Sequence, residues 1–349
     1  MSANSASPSP PPPANVSIDS VLGVQQHTVW QRAIGAQSFW VTVALIIICL
    51  VMSWLQPASF ATADNFYNIT RNFSFIGIMA LGMTAVIATG GIDLSVGSIM
   101  GLTAVSSGLM LDSGYPAWAA IVVGLFAGGF AGLINGLIIA YLELSPFVTT
   151  LGMLAVARSV AVVLSGNRML YNFGPGGPAF KALGSGALQI TPNFEVSYPL
   201  LFLIVLTAIL GWVYKMTGWG RHVLAIGGNE HAALLTGVPV KRVKVQVYVV
   251  SGLSAAFAAI LAVGWAGSAI NALGATYELL AISAAVIGGA NLMGGEASAY
   301  GAFIGAALIF VIRNSLLMAG VDSNWQGTFV GLFLVAAVYL GKIRGSRRE

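Results

Sequence analysis

The scarcity of charge along long apolar runs is the feature that most limits how this chain can fold. Only 7% of the 349 residues are charged and 57% are hydrophobic, against about 25% charged in an average soluble domain. Such a chain cannot cover a soluble core with polar side chains, so we expect an integral membrane protein. The formal charge of +4 is too small and too scattered to indicate a nucleic-acid partner. Cys49 is the only cysteine, which excludes an internal disulfide.

The apolar runs can be counted as spans, because a helix needs about 20 apolar residues to cross roughly 30 Å of hydrocarbon. Ten stretches approach this length, and the second, third and eighth are short. The pattern predicts an all-α integral membrane protein with about ten transmembrane helices, some broken or short. The stretches are 38–55, 73–89, 96–111, 116–140, 147–165, 198–217, 245–268, 278–293, 298–318 and 323–341.

The N-terminal segment differs from the rest. Residues 1–36 contain the low-complexity tract "SPSPPPPANVS" and no signal-peptide pattern, so they predict a disordered cytoplasmic tail before a transmembrane domain at 37–349. With that tail inside, ten of the 15 Lys and Arg residues fall on the inner side and four on the outer side, with one inside a span. This bias predicts that both termini are cytoplasmic. Loop 166–197 then faces outward and loop 218–244 faces inward.

The stretch "TGGIDLSVGS" at 89–98 places an acid inside an apolar region. Gly90 and Gly91 can break a helix, and Asp93 can accept hydrogen bonds from the amides of a helix that begins near Leu94. Such breaks survive in membranes only where protein or a water-filled cavity satisfies the backbone. Two interpretations remain open here: Asp93 is a simple N-cap, or it contacts a substrate.

Arg158 is the most costly residue of the apolar stretches. It lies about 11 residues into its span, roughly 16 Å deep, where an unpaired guanidinium costs on the order of 3 kcal/mol or more. Asp93 and Glu278 are the acids within reach. We expect a structural ion pair that locks two helices, with a role in a transport pathway as the alternative.

The inward loop contains a second pattern, "GGNEHAALLTGVPVKRVK". Asn229 is a good N-cap, Glu230 suits a first helical turn, and Gly237 suits the residue after the last turn. The small residues Ala232 and Ala233 give this helix a face slim enough to enter a groove. We expect it to dock on another protein, with a solvated surface helix as the alternative.

Several motifs are missing. The chain has no P-loop, no H-E-x-x-H zinc pattern, no G-x-S-x-G elbow and only three histidines, so the sequence indicates neither an ATP site, a metal site nor a catalytic set. One internal similarity is present: "GGIDLSVGSIMG" at 90–101 and "GGEASAYGAFIG" at 294–305 share four glycine positions. Duplication and chance both explain it.

Three segments resemble one family, the permease subunits of bacterial ABC importers for monosaccharides such as ribose, xylose, arabinose and galactose. They are "GGIDLSVGS", "GGNEHAALLTGVPVKRVK" and "TYELLAISAAVIGGANLMGG", and the likeness runs in order from about residue 60 to 340. One departure is Leu280, where the family often has Asp. Any contact made by that carboxylate is therefore in doubt.

The resemblance implies a transport subunit rather than an enzyme. Two permeases, expected to be identical, would form the pore in the bacterial inner membrane; two ATP-binding cassettes would hold the ATP and Mg, and a periplasmic sugar-binding protein would deliver the substrate. It implies that loop 218–244 couples to the ATPase, through the pattern Glu230, Ala232, Ala233 and Gly237. It further implies that the break lies beside the translocation path. The path residues would be Thr89, Asp93, Ser95 and Ser98.

Three rival functions remain. A stand-alone secondary transporter or channel would need no partner but usually carries more intramembrane acids. An intramembrane enzyme would need a catalytic set. Another class of ABC importer shares the ten-span plan, although "GGIDLSVGS" points to sugars, among which ribose is the first expectation.

Overall fold

The structure, a computed structural model, describes residues 35–322, 325, 327–328 and 331–332. Most of the predicted tail at 1–36 and most of the tenth stretch at 323–341 lie outside these residues. The described elements, in chain order, are α1 Gln37–Leu55, α2 Ala63–Ala88, α3 Val96–Asp112, α4 Ala117–Tyr141, α5 Pro146–Ser165, α6 Gly177–Ser185, β1 Ala187–Thr191, β2 Phe194–Ser197, α7 Tyr198–Met216, α8 Gly218–Gly228, α9 Glu230–Leu235, α10 Val240–Ala266, α11 Tyr277–Ile287 and α12 Ala299–Met318.

Seven helices of the described chain are long and apolar enough to cross a membrane: α1, α2, α4, α5, α7, α10 and α12. Helices α3 and α11 are apolar but shorter, at 17 and 11 residues. The chain is therefore a helical, multi-pass membrane protein. The second predicted span, 73–89, was too short, because α2 has 26 residues. It begins early because the Thr62 hydroxyl caps its first turn, accepting from the Asn65 N–H at 3.1 Å.

Helices α2 and α10 form the centre of the bundle, and small residues bring α4 against α10. A Cβ on Gly128 would lie 2.5 Å from the Cβ of Ala256, and one on Gly136 would lie 2.7 Å from the Cα of Val245. Close backbone approach of this kind is how helices pack where lipid removes the hydrophobic driving force.

The two loops predicted from the sequence are largely ordered. The 166–197 segment contains α6 and an antiparallel hairpin, β1–β2, in which Ala187 pairs with Ser197. This hairpin is a departure from the all-α prediction. The 218–244 segment contains α8 and α9, of which the sequence predicted only the second.

Two helix breaks face each other inside the bundle. One lies between α2 and α3 and the other between α11 and α12, at the two similar glycine segments. The matched residues Gly90 and Gly294 both have left-handed φ, +79° and +91°, which favours glycine. The N–H of Gly295 donates to the carbonyl of Ala88 at 3.0 Å, so the second break contacts the end of α2.

Candidate functional site

Asp93 lies in the first break and is completely buried. Its Oδ1 accepts from the Ser95 N–H at 3.0 Å and from the Ser95 hydroxyl at 2.5 Å, and its Oδ2 accepts from the Ser251 hydroxyl at 2.8 Å. Because Ser251 belongs to α10, the carboxyl joins the break to a central helix. Helix α3 begins at Val96 rather than near Leu94. Asp93 therefore closes the turn before the helix, bonding its own backbone two residues on.

Two further helices hold the same break. The Asn135 side chain on α4 donates to the Ser95 hydroxyl at 2.9 Å, and the Leu94 N–H donates to the Thr150 hydroxyl on α5 at 3.1 Å. Sequence reasoning missed Asn135, Thr150 and Ser251. The sequence did show that each is a polar residue within an apolar span, and such a residue is expected to bond to another polar group inside the bundle.

The four residues expected on the translocation path are enclosed by this chain. Asp93 and Ser95 are 0% exposed, Ser98 is 2% and Thr89 is 9%. The Thr89 hydroxyl donates to the Val86 carbonyl of its own helix at 2.8 Å. In this conformation, therefore, these polar groups are directed to the protein's own backbone and side chains rather than to an open surface.

Arg158 is bound by backbone carbonyls. Its Nη1 donates to the carbonyl of Asn271 and to that of Leu273 at 3.3 Å, and its Nη2 donates to the carbonyl of Gly97 at 3.4 Å. The guanidinium thus ties α5 to the start of α3 and to the segment after α10. The direct ion pair expected from the sequence is not formed among the described residues; the two Nη atoms donate instead to three backbone carbonyls.

Glu278 lies beside this arginine in the first turn of α11. It attracts Arg158 electrostatically without forming an ion pair with it. Its Oε2 occupies the position where Gly97 would carry a Cβ. A glycine at position 97 is therefore required for α3 to approach α11 and the preceding segment.

The predicted short helix of the inward loop is present as α9. The Asn229 side chain accepts from the Ala232 N–H at 2.9 Å, which caps the start. At the other end Gly237 has φ +86°, its N–H donates to the Leu234 carbonyl at 3.0 Å, and the Val238 N–H donates to the Ala233 carbonyl at 3.0 Å. These two bonds form a Schellman motif. The helix is therefore closed at both ends by its own local sequence.

The helix α9 offers an apolar surface outside the bundle. Ala233 is buried against the bundle at 4% exposure, whereas Leu234 and Leu235 are exposed at 58% and 75%. Glu230 holds the helix in place through an ion pair of 2.7 Å with Lys244 of α10. The expectation that this helix docks on another protein stays a prediction.

Helix α8 connects α9 to the helix breaks. A Cβ on Gly227 would overlap the Ala88 carbonyl and the Gly295 N–H, and a Cβ on Gly294 would lie 2.7 Å from the Cα of Gly227. The backbone of α8 therefore lies directly on the last residue of α2 and on the second break. Helix α9 starts after a single intervening residue, Asn229, so it follows α8 directly along the chain.

The described residues hold no group of three or more His, Cys, Asp and Glu side chains that could bind a metal ion. The prediction that this chain binds no cofactor stays a prediction.

Comparison with known proteins agrees with this geometry. Residues 65–338 match the family model described as "Branched-chain amino acid transport system / permease component". The chain is 38% identical to a "Probable ABC transporter permease protein y4mJ" of Sinorhizobium fredii, covering 87% of this chain and 89% of that protein. No solved structure matches the chain.

Two further relatives carry substrate names. The chain is 34% identical to the ribose import permease protein RbsC of Haemophilus influenzae, over 88% of this chain and 93% of that protein. It is 36% identical to the autoinducer 2 import system permease protein LsrD of Escherichia coli K12, over 88% and 91%. With a family model that matches most of its length and relatives that align nearly end to end, the chain belongs to the family of membrane-spanning permease components of ABC importers, and it is a transport subunit and not an enzyme.

Proposed function

We propose that this chain is the permease subunit of an ATP-driven, binding-protein-dependent importer for ribose or a related monosaccharide. The observation that carries this proposal is the nearly full-length similarity to permeases named for ribose and for autoinducer 2. The family description names branched-chain amino acids. The relatives favour the sugar class, with ribose first.

The proposal includes a full set of partners. Two copies of the permease would form the pore in the bacterial inner membrane, each with about ten spans and both termini inside. Two ATP-binding cassettes would dock from the cytoplasm and hold ATP and Mg. A periplasmic sugar-binding protein would dock on the opposite side, where α6 and the hairpin of segment 166–197 would form the docking surface.

The coupling step is proposed to begin at α9. The exposed leucines of this helix would sit in a groove of the cassette, and Asn229, Glu230 and Gly237 would keep the helix intact while it is pushed. Closure of the cassettes on ATP would then move α8, whose Gly227 lies on the two helix breaks. Movement of those breaks would switch the side to which the path opens.

The break around Asp93 is proposed to form the wall of that path. Asp93 and Ser95 would fix the shape of the wall through their bonds to α4 and α10. Thr89 and Ser98 lie on the same segment and would reach the sugar only in a conformation that opens the break.

The experiment is uptake by proteoliposomes that contain the permease, its cassette and its binding protein, across a panel of labelled pentoses, hexoses, polyols and branched-chain amino acids. We expect uptake that requires both ATP and the binding protein, with ribose or a related sugar transported best. Flux through the permease alone, without ATP, would instead establish a channel or secondary transporter. ATP-driven uptake of amino acids only would move the chain to another importer class.

A charge exchange tests the coupling role of α9 separately. Glu230→Lys should lower sugar uptake per ATP hydrolysed, and Lys244→Glu should do so through the same broken pair. Because both groups are partly exposed, the loss of fold stability should be small. In the double variant the ion pair is restored. Recovery of uptake would assign Glu230 to positioning the helix, and continued loss would assign it to direct contact with the cassette. Full uptake in both single variants would refute the coupling role.

A further inference from the structure

The segment between α10 and α11 descends along α3 without forming a helix. Near its start, the Cβ of Ala269 lies 2.7 Å from the position that a Cβ on Gly108 would take. Further along, the carbonyl of Asn271 lies against Gly101, and the carbonyl of Gly274 lies against Gly97. These three glycines of α3 span 11 residues, or about 16 Å. The segment 270–276 therefore penetrates the bundle by that depth as a run of turns.

The inner side of this segment is covered. It packs on the glycines of α3, and Arg158 donates to the Asn271 and Leu273 carbonyls. Arg158 itself lies seven residues before the end of α5 at Ser165, about 10 Å from that end. The carbonyls that it binds are therefore inside the span and not at its margin.

The opposite side of the segment is not covered by any of the described residues. Ala272, Ala275 and Thr276 are exposed, and Leu279 in the first turn of α11 is 58% exposed. Four backbone N–H groups of this segment have no hydrogen-bond acceptor among the described residues. They belong to Asn271, Ala272, Gly274 and Thr276.

Lipid cannot cover such a surface. Irregular backbone with unpaired N–H groups occurs at membrane depth only where it is buried in protein or lines a water-filled cavity. Each unpaired group would otherwise cost several kcal/mol, on the order of the transfer of an amide out of water. The exposed side of segment 270–279 must therefore face water or protein.

We infer that the exposed side of residues 270–279 lines the water-filled path for sugar, with the Thr276 hydroxyl as the group that contacts sugar hydroxyls. The inference rests on the proposed function and adds to it the residues that the substrate touches. It assigns Arg158 as a positioning residue, which holds this segment against α3.

Thr276 is suited to that contact. Thr276 has φ +68°, a left-handed conformation that is strained for a β-branched residue, and its side chain makes no capping bond to α11. Strain of this kind concentrates at functional sites. A hydroxyl can both donate and accept, which matches the hydroxyl groups of a neutral sugar.

Thiol accessibility tests the inference in the assembled transporter. In a Cys49→Ala background, which removes the only native thiol, single cysteines replace Ala272, Ala275 or Thr276. Two controls place a cysteine at apolar positions equally exposed in one chain, Val156 of α5 and Phe126 of α4, which are 55% and 68% exposed. The probe is a charged, membrane-impermeant methanethiosulfonate, applied to proteoliposomes under turnover.

We expect the three segment thiols to react at least about tenfold faster than both controls, because only a thiol in contact with water forms the reactive thiolate. The transported sugar should slow this reaction. Segment thiols as slow as the controls, in a preparation that still imports sugar with ATP and binding protein, would overturn the inference while leaving the proposed function intact. Absence of uptake that depends on ATP and the binding protein in the unsubstituted transporter would refute the proposed function instead.

Uptake kinetics test the contact residue. Thr276→Ala should raise the KM of sugar uptake about tenfold, the effect of about 1.4 kcal/mol of lost contact, and change receptor-stimulated ATP hydrolysis little. Thr276→Ser retains the hydroxyl and should keep the KM near that of the wild type. An unchanged KM in Thr276→Ala would refute the assignment of Thr276 as a sugar contact.

Discussion

The hydrogen bonds around Asp93 predict a large and specific loss of stability when the carboxyl is removed. In Asp93→Ala, the Ser95 N–H, the Ser95 hydroxyl and the Ser251 hydroxyl all lose their acceptor at a site with no exposure. Substitution by Asn changes much less. It retains one oxygen for the Ser95 N–H, and its amide can donate to the Ser251 hydroxyl.

The magnitude follows from these bonds. Each buried donor left without an acceptor costs about 1 to 3 kcal/mol. Part of this loss is offset, because the variant no longer buries a carboxyl group away from water. We therefore expect Asp93→Ala to lose about 2 to 5 kcal/mol and Asp93→Asn about 1 kcal/mol. Ser251→Ala is the matched control, since it removes one donor and leaves the other two bonds, and about 1 to 2 kcal/mol should be lost.

The measurement is thermal stability of the purified permease in detergent, read as the temperature at which half of the protein still elutes as a single species. Asp93→Ala should fall by about 4 to 10 °C, at roughly 2 °C per kcal/mol for a chain of this size. The order should be wild type, Asp93→Asn, Ser251→Ala, then Asp93→Ala. In the double variant Asp93→Ala with Ser251→Ala, the losses should be less than additive, because the two residues share one bond.

Equal stability of Asp93→Ala and the wild type would refute the reasoning. It would mean that water enters the break and satisfies the three donors, so that Asp93 is free for a role other than holding the wall. Normal stability with lost uptake would assign Asp93 directly to transport.

Three more predictions concern the packing of the breaks and α9. Gly97→Ala should strongly reduce yield and thermal stability, because its Cβ would overlap the backbone carbonyl of Gly274 as well as the Glu278 carboxyl, whereas Gly152→Ala, with open space around it, should be neutral. Arg158→Lys should lose about 1 to 3 kcal/mol in the same thermal assay, because the single nitrogen of an ammonium cannot reproduce the two Nη positions that donate to the three carbonyls. Stability like that of the wild type would show that the planar guanidinium is not needed. Gly237→Ala should lower ATP-coupled uptake with a stability loss near 1 kcal/mol, because the φ of Gly237 is +86°, which strains a residue that has a Cβ. Unchanged uptake per ATP hydrolysed would show that α9 tolerates this strain at its end.

The sequence was sufficient wherever the cause is local. The spans follow from runs of apolar residues, and the ends of α9 follow from Asn229 and Gly237, since caps and left-handed turns depend on neighbouring residues. Gly90 and Gly294 were visible as matched positions, and both have left-handed φ. The family, too, was recognisable from three short motifs.

Tertiary structure decided how polar groups inside the bundle are paired. The sequence shows that Asp93 and Arg158 need partners inside the bundle. For Arg158 it favoured an ion pair, because acidic residues are the partners that a sequence makes visible. The fold instead gives Asp93 hydroxyl and amide donors and gives Arg158 carbonyls, including two from a segment that lies more than 100 positions away. A carbonyl is present at every residue, so composition cannot single out the one that serves as a partner. Only the descent of segment 270–276 along the glycines of α3 brings those carbonyls to the guanidinium.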